Sequence, residues 1–182
     1  MTKQPARAPI SIHWFRQDLR LSDNPALLAA AEAGRLIPVY ILDDENAEEW
    51  KMGGACRWWL HRSLSSLNDS LQGKLLLFQG NAEKILPAFA EKAGASTVTW
   101  NRCYEPWRIQ RDKKIKATLT SGGIDVISKN GTLLWEPWEV LKSDGTPYRV
   151  FTPFYRKGCL NRPSPRKPLK APSKIGFAEA KD

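Results

Sequence analysis

The sequence predicts a doubly wound α/β fold: a five-stranded parallel sheet, Rossmann-like in order 3-2-1-4-5, with helices on both faces. Two observations carry that expectation. Five short apolar runs, "ISIHWF", "LIPVYIL", "KLLLFQ", "STVTWN" and "IDVISK", read as buried strands. Helical patterns fall between each successive pair. Such alternation demands parallel strands joined by right-handed crossovers, which put helices on both faces of the sheet.

The elements follow in order. Asn24 before Pro25 is a helix cap with proline at the first helical position, and Gly34 stands where that helix should stop. "GACRWWLHRSLSSLNDSL" places Trp58, Leu60 or His61, Leu64, Leu67 and Leu71 near one face of a second helix. "NAEKILPAFAEKAG" is helical, with Pro87 distorting it or sitting in its first turn. "EPWRIQRDKKIKATLTSGG" starts at Pro106, ends at a glycine pair, and carries a weak apolar stripe through Ile109, Lys113 or Ile115, and Leu119. Beyond about residue 130 the alternation stops. The expected organisation is an N-terminal tail over 1–9, an α/β domain over 10–130, an irregular aromatic part over 131–160, and a basic Pro-rich linker over 161–182. A stretch such as "NRPSPRKPLKAPSK" cannot build a core.

Composition narrows the function classes. The 182 residues, 42% hydrophobic and 26% charged, suit one ordinary globular domain. No run approaches the ~20 apolar residues of a membrane span. "MTKQPARAP" lacks an apolar signal core, so a cytoplasmic protein without a membrane partner is expected. Cys56, Cys103 and Cys159 are odd in number and far apart, which argues for reduced thiols over a disulfide framework or a zinc site. The net charge of +9 is uneven. Residues 156–182 hold eight Lys/Arg against two Asp/Glu, and the preceding 155 residues hold twenty against seventeen. The body is nearly balanced and the tail is basic, so only weak, non-specific DNA binding is expected. Eight tryptophans are the oddest feature; core or interface positions account for most such rings, and a pigment pocket is the sharper alternative.

In an open α/β sheet, ligands bind beyond the C-terminal strand ends where strand order reverses. That rule gathers Arg16, Asp18, Asp43, Lys51, Arg57, Glu105 and Trp107 around one mouth. There is no G-x-G-x-x-G and no Walker A loop. His13 reads as a satisfied core histidine and His61 as a helix-surface residue; no nucleophile–base pair and no metal site is visible. The sequence Asp43-Asp44-Glu45 reads as a solvated loop. The connection after the first strand, "RQDLRLSDN", has no glycine. Arg16 and Arg20 pairing with Asp18 and Asp23 would fix it as a tight turn; direct ligand contact is the equal alternative.

"HWFRQDLRLSDNPAL", "WNRCYEPWRIQRD" and "YRVFTPFYRKGCL" resemble the N-terminal part of the DNA photolyase–cryptochrome family. The resemblance covers residues 10–160 and implies that family's α/β antenna domain. It implies an antenna pigment that passes near-ultraviolet or blue excitation to FAD, which repairs pyrimidine dimers in DNA. FAD would sit only in a helical domain beyond the linker, for which this chain offers a docking surface. The chain alone would then hold no catalytic residues and lack repair activity, being part of a carbon–carbon lyase once joined to that domain. The candidate chromophore-binding residues are Arg16, Asp18, Asp43, Lys51, Met52, Arg57, Cys103, Glu105 and Trp107. Folate-using members carry an Asn-Glu pair where this chain has Trp107 and Arg108. That departure favours 8-hydroxy-deazaflavin or FMN over methenyltetrahydrofolate. A signalling cryptochrome domain and a free-standing nucleotide-binding module are the alternative readings.

Overall fold

A computed structural model describes residues 8–179. It divides into two compact units, one made of residues up to 131 together with those from 169 on, the other of 132–168. The first is the expected sheet. Strands β1 (Ile10–Phe15), β2 (Arg35–Leu42), β3 (Leu76–Gln79), β4 (Ala95–Asn101) and β5 (Asp125–Lys129) lie in the order β3-β2-β1-β4-β5, and every pairing is parallel. The three central strands are buried almost throughout. β3 and β5, at the edges, are half-exposed.

The two-residue period of β1 splits its side chains between two cores. Ile12 and Trp14 join Ile37, Val39, Val98 and Trp100 on one face. Helices α3 (Ala82–Lys92) and α4 (Pro106–Ser121) cover that face with Leu86, Ile115 and Leu119. Phe15, Leu36 and Tyr40 occupy the other face, under Leu27 of α1 (Pro25–Ala33) and Leu67 of α2 (Gly54–Ser70).

Local chemistry sets the helix ends. The Asn24 side chain accepts the Leu27 N–H at 3.0 Å, with Pro25 opening the helix as expected. At Gly34 a Cβ would lie 2.1 Å from the Pro9 carbonyl oxygen, so only glycine lets the Arg35 N–H reach that same carbonyl at 2.8 Å. Asn81 caps α3 through the Glu83 N–H at 2.9 Å. Pro87 lies inside α3, past its first turn, and the helix continues through it. The Glu83 carbonyl thereby loses its usual N–H donor.

Two helix faces differ from expectation. On α2 the inward stripe is Leu60, Leu64, Leu67 and Leu71, and Trp58 is exposed. Trp58 precedes Leu60 by two residues, a rotation of roughly 200° around the helix, so it points away from the stripe. On α4 the buried positions are Arg111, Ile115 and Leu119, a clean i, i+4, i+8 series, whereas Ile109 is partly exposed.

The end of the stretch read as linker is packed. The chain returns at Leu169, exchanging hydrogen bonds with Asp23 at 2.8 and 3.2 Å. Further on, Leu36 of β2 donates to Gly176 at 2.8 Å and accepts from Ala178 at 2.9 Å. The reason lies at the sheet edge. β3 pairs with β2 only from Val39 onward, which leaves the Leu36 backbone groups to be claimed, and Ile175, Phe177 and Ala178 bring apolar side chains with them.

The 132–168 unit is small and irregular. Lys142 and Thr146 close a turn at Gly145 (2.9 Å), and short helical runs cover Phe151–Pro153 and Phe154–Cys159. Gly158 packs so closely on Val140 and Tyr148 that a Cβ would meet them at 2.8 and 3.0 Å. Leu134, Trp138, Val150, Phe151 and Leu160 are exposed.

His13 is a satisfied core residue, as expected. It is fully buried, pairs through Nδ1 with the Thr99 hydroxyl at 2.8 Å, and meets the edge of Phe15 at a 4.4 Å centroid separation. Burial pulls its pKa down to about 4; the Arg16 cation adds to the drop and Asp18 opposes it. The unfolded chain therefore takes up this proton near pH 6.5, the folded chain only near pH 4. Stability from this residue is complete above pH 6.5 and is lost as pH falls toward 4, by about 3 kcal/mol at most. Urea midpoints of the protein and of His13→Gln over this range check it: the difference between them should shrink on acidification. A constant difference would show that His13 does not titrate this way.

Candidate functional site: a cation- and indole-lined cleft

The glycine-free loop after β1 is shaped by a buried web of amides around one carboxylate. Asp18 accepts the Arg16 N–H at 3.0 Å and the side-chain amides of Asn24, at 3.3 Å, and Asn101. Asn101 also donates to Asn24 Oδ1 at 2.7 Å and accepts the Ala26 N–H at 3.3 Å. The one left-handed residue of the loop is Asp23 (φ 50°), a residue type that tolerates that conformation without glycine. The arginines do not pair as expected. The Arg16 guanidinium reaches Asp112 of α4 and the Asn101 carbonyl. Arg20 donates to the main-chain carbonyls of Asp23, at 2.9 Å, and Gly131. The loop's charges thus tie β1 to β4 and α4.

Above this web lies a cleft at the C-terminal strand ends. Its volume is about 60 Å³, so it is a shallow, open cleft. One wall is a stack of alternating guanidinium and indole groups. Arg16 sits 4.9 Å from the Trp14 ring, Arg111 sits 4.7 Å from Trp14 and 5.0 Å from Trp107, and Arg108 sits 4.9 Å from Trp107. Helical spacing builds it, because Trp107 and Arg111 are i and i+4 on α4. Arg111 is held by Asp43 at 3.1 Å and Asp112 at 2.9 Å.

The opposite wall is the end of β2 with the segment that follows it, from Tyr40 to Asp44 and then Ala47, Trp50, Lys51 and Met52. Asp43 is not a solvated loop residue. Its side chain is 4% exposed and accepts from Asn46 and Arg111, because a buried arginine needs a buried counter-charge. Asp44 pairs with Arg57 at 2.6 Å, and Arg57 also donates to the Met52 carbonyl at 3.0 Å. Burial pushes the Tyr40 phenol up to about 12; Asp44 adds to the rise, and Arg108 and Arg57 oppose it. The phenol therefore stays neutral near pH 7. Among the described residues no group of three His, Cys, Asp or Glu could hold a metal ion.

Of the candidate chromophore-binding residues, Arg16, Asp43, Lys51, Met52 and Trp107 line the cleft. Asp18 lies in the web beneath, 2% exposed. Cys103 is buried, 3.4 Å from an Arg108 nitrogen. Glu105 sits outside the lining and accepts from Gln17 at 3.2 Å. Burial raises the Glu105 carboxyl, but hydrogen bonds from nearby main-chain N–H groups and Gln17, together with the Arg108 charge, outweigh that and hold it below the usual range. Arg57 braces the β2 segment from outside the lining. Sequence reasoning missed Trp14, Tyr40, Trp50, Arg108 and Arg111 as lining residues. The Trp107–Arg111 spacing, i and i+4 on one helix, was the available signal.

Fold and cleft together define a doubly wound α/β domain with an aromatic, cation-lined site at its strand-order switch point. The chain belongs to the DNA photolyase family, whose family model matches residues 11–173. It is 46% identical over 170 residues to a deoxyribodipyrimidine photo-lyase of Agrobacterium fabrum, covering 90% of this chain and 35% of that protein. It is 40% identical over 170 residues to cryptochrome-1 of Arabidopsis thaliana, covering 91% of this chain and 25% of that one. The crystal structure of an archaeal photolyase from Sulfolobus tokodaii, described with two FAD molecules and as implying a novel light-harvesting cofactor, superposes with a TM-score of 0.71. The identity there is 29%, covering 92% of this chain and 37% of that one. The chain thus spans between a quarter and two-fifths of these relatives.

Proposed function

We propose that this chain is the light-harvesting part of a photolyase-type protein. A flat antenna pigment occupies the cleft and passes excitation to FAD held by a separate helical domain. The observation that carries the reading is the cleft itself. Trp107, Trp50 and Met52 offer faces for a ring, and Lys51 stands beside them to meet an anionic arm. The chemistry of light capture belongs to the pigment; the chain's residues bind it, orient it and keep water from its ring. The apolar side chains exposed on residues 132–168 suit docking of the helical domain. DNA is then a partner of the joined protein, with only weak, salt-sensitive binding by this chain.

Fluorescence titration with FMN, 8-hydroxy-deazaflavin and methenyltetrahydrofolate tests the reading. Trp107 and Arg108, at the positions where folate users carry Asn-Glu, put the two flavin-type pigments ahead of folate. Trp107→Ala should weaken binding about tenfold or more, through lost stacking and burial. Arg57→Ala should do less, since that guanidinium is spent on Asp44 and Met52. Saturable binding of none of the three overturns the reading.

The 40% identity to a plant cryptochrome favours a second reading, a sensory protein with the same pigment domain. Dimer-repair assays on the chain joined to a flavin domain separate the two.

A further inference from the structure

Tyr40 belongs both to the core and to the cleft. Its ring packs in the cluster of Phe15, Leu67 and Leu71, and the residue is 5% exposed. It also lines the cleft, on the wall opposite the indoles. Its hydroxyl makes no hydrogen bond to any described residue. The oxygen is not sealed in: the unpaired polar atoms without accessible surface are nitrogens of Trp14, Arg16 and Arg108, and Tyr40 is not among them. After burial itself, the influences on the phenol's ionisation are Arg108, Asp44 and Arg57. Arg108 and Asp44 line opposite walls, and Arg57 is tied to Asp44 and to the Met52 carbonyl. Charges on both walls thus reach the phenol oxygen, which places it facing the space between them. A buried tyrosine hydroxyl usually has a partner, and one without it costs stability. Phenylalanine would fill the same core space without that cost.

Resting on the antenna reading, we infer that Tyr40 is a specificity-determining residue of the cleft, its hydroxyl donating a hydrogen bond to an acceptor atom on the pigment's ring system. That atom is a carbonyl oxygen or a ring nitrogen, so the ligand class is a flat heterocycle with an acceptor at its inner edge. Burial holds the phenol neutral near pH 7, which keeps the donor present. Core packing fixes the ring, so the donor is in place before the ligand arrives and loses little freedom on binding. Selection works by asymmetry. An edge of C–H groups would cover the hydroxyl and leave it unpaired, which costs more than the matched bond gains.

The test is Tyr40→Phe in the full chain, with FMN as the probe. The change keeps the ring and removes the oxygen. Without ligand, the urea midpoint should not fall, because no internal hydrogen bond is lost. FMN affinity, read by fluorescence titration, should drop roughly 3- to 10-fold. In the infrared spectrum of bound FMN, a ring C=O or C=N band should shift between the unaltered chain and Tyr40→Phe, which a purely structural role would not produce. Unchanged affinity or unchanged bands overturns this inference while the antenna reading stands. A Tyr40→Phe chain that is less stable without ligand, or fails to fold, shows that the hydroxyl serves the fold and overturns it too. If FMN does not bind and 8-hydroxy-deazaflavin or methenyltetrahydrofolate does, the same measurements on that pigment decide. Saturable binding of none of the three by the unaltered chain overturns both readings.

Discussion

Arg111→Met is expected to destabilise the α/β unit by about 3–5 kcal/mol, much of the stability of an ordinary domain. Methionine keeps the aliphatic length of the stem and removes the charge. Asp43, whose side chain is 4% exposed, then loses its cationic partner and keeps only its hydrogen bonds from Asn46. Asp112 loses one of two guanidinium partners and keeps Arg16. The cation between the Trp14 and Trp107 rings is lost as well. Urea unfolding should show a lower midpoint with an unchanged slope. The double change Arg111→Met with Asp43→Asn should recover part of the loss, because it removes the stranded charge as well. A double variant no more stable than the single one would contradict the coupling.

Asn101→Ala is expected to cost about 3 kcal/mol. Asn101 is 2% exposed and serves three partners at once, the Asp18 carboxylate, the Asn24 side chain and the Ala26 N–H. Its loss leaves an ionised group and a main-chain donor short of partners in the interior, at roughly 1–3 kcal/mol for each unsatisfied group. The effect should reach the loop after β1, because Asp18 and Asn24 are its two anchors. Amide exchange of residues 16–24 should quicken more than that of β5. A cost below about 1 kcal/mol, or uniform exchange, would mean that the web does not shape the loop.

The sheet was legible in the sequence because helices cover both of its faces. That burial turns β1, β2 and β4 into continuous apolar runs, and the intervening helices leave few topologies open. Helix faces were less legible. Trp58 and Ile109 are apolar side chains outside the buried face, and Arg111 is a charged one inside it. Hydropathy patterns assume the reverse, and Arg111 is tolerated only because Asp43 and Asp112, distant in sequence, meet it. The packing of residues 175–178 was invisible for another reason. It depends on the register of β3 against β2, which leaves Leu36 open, and no local pattern encodes that register. At the cleft, the switch-point rule and the family resemblance brought in Arg16, Asp43, Lys51, Met52 and Trp107. Asp18 carries the same charge signal yet serves the loop, since a buried aspartate surrounded by amide donors is already satisfied.

The most direct test of the central claim is the map of NMR shift changes produced by adding FMN to the ¹⁵N-labelled chain. The account predicts saturable changes centred on Trp14, Met52, Trp107 and Arg111, with β5 and the exposed Trp58–Trp59 face of α2 unmoved. Changes centred on Trp58 and Trp59, or none at any concentration, would contradict it.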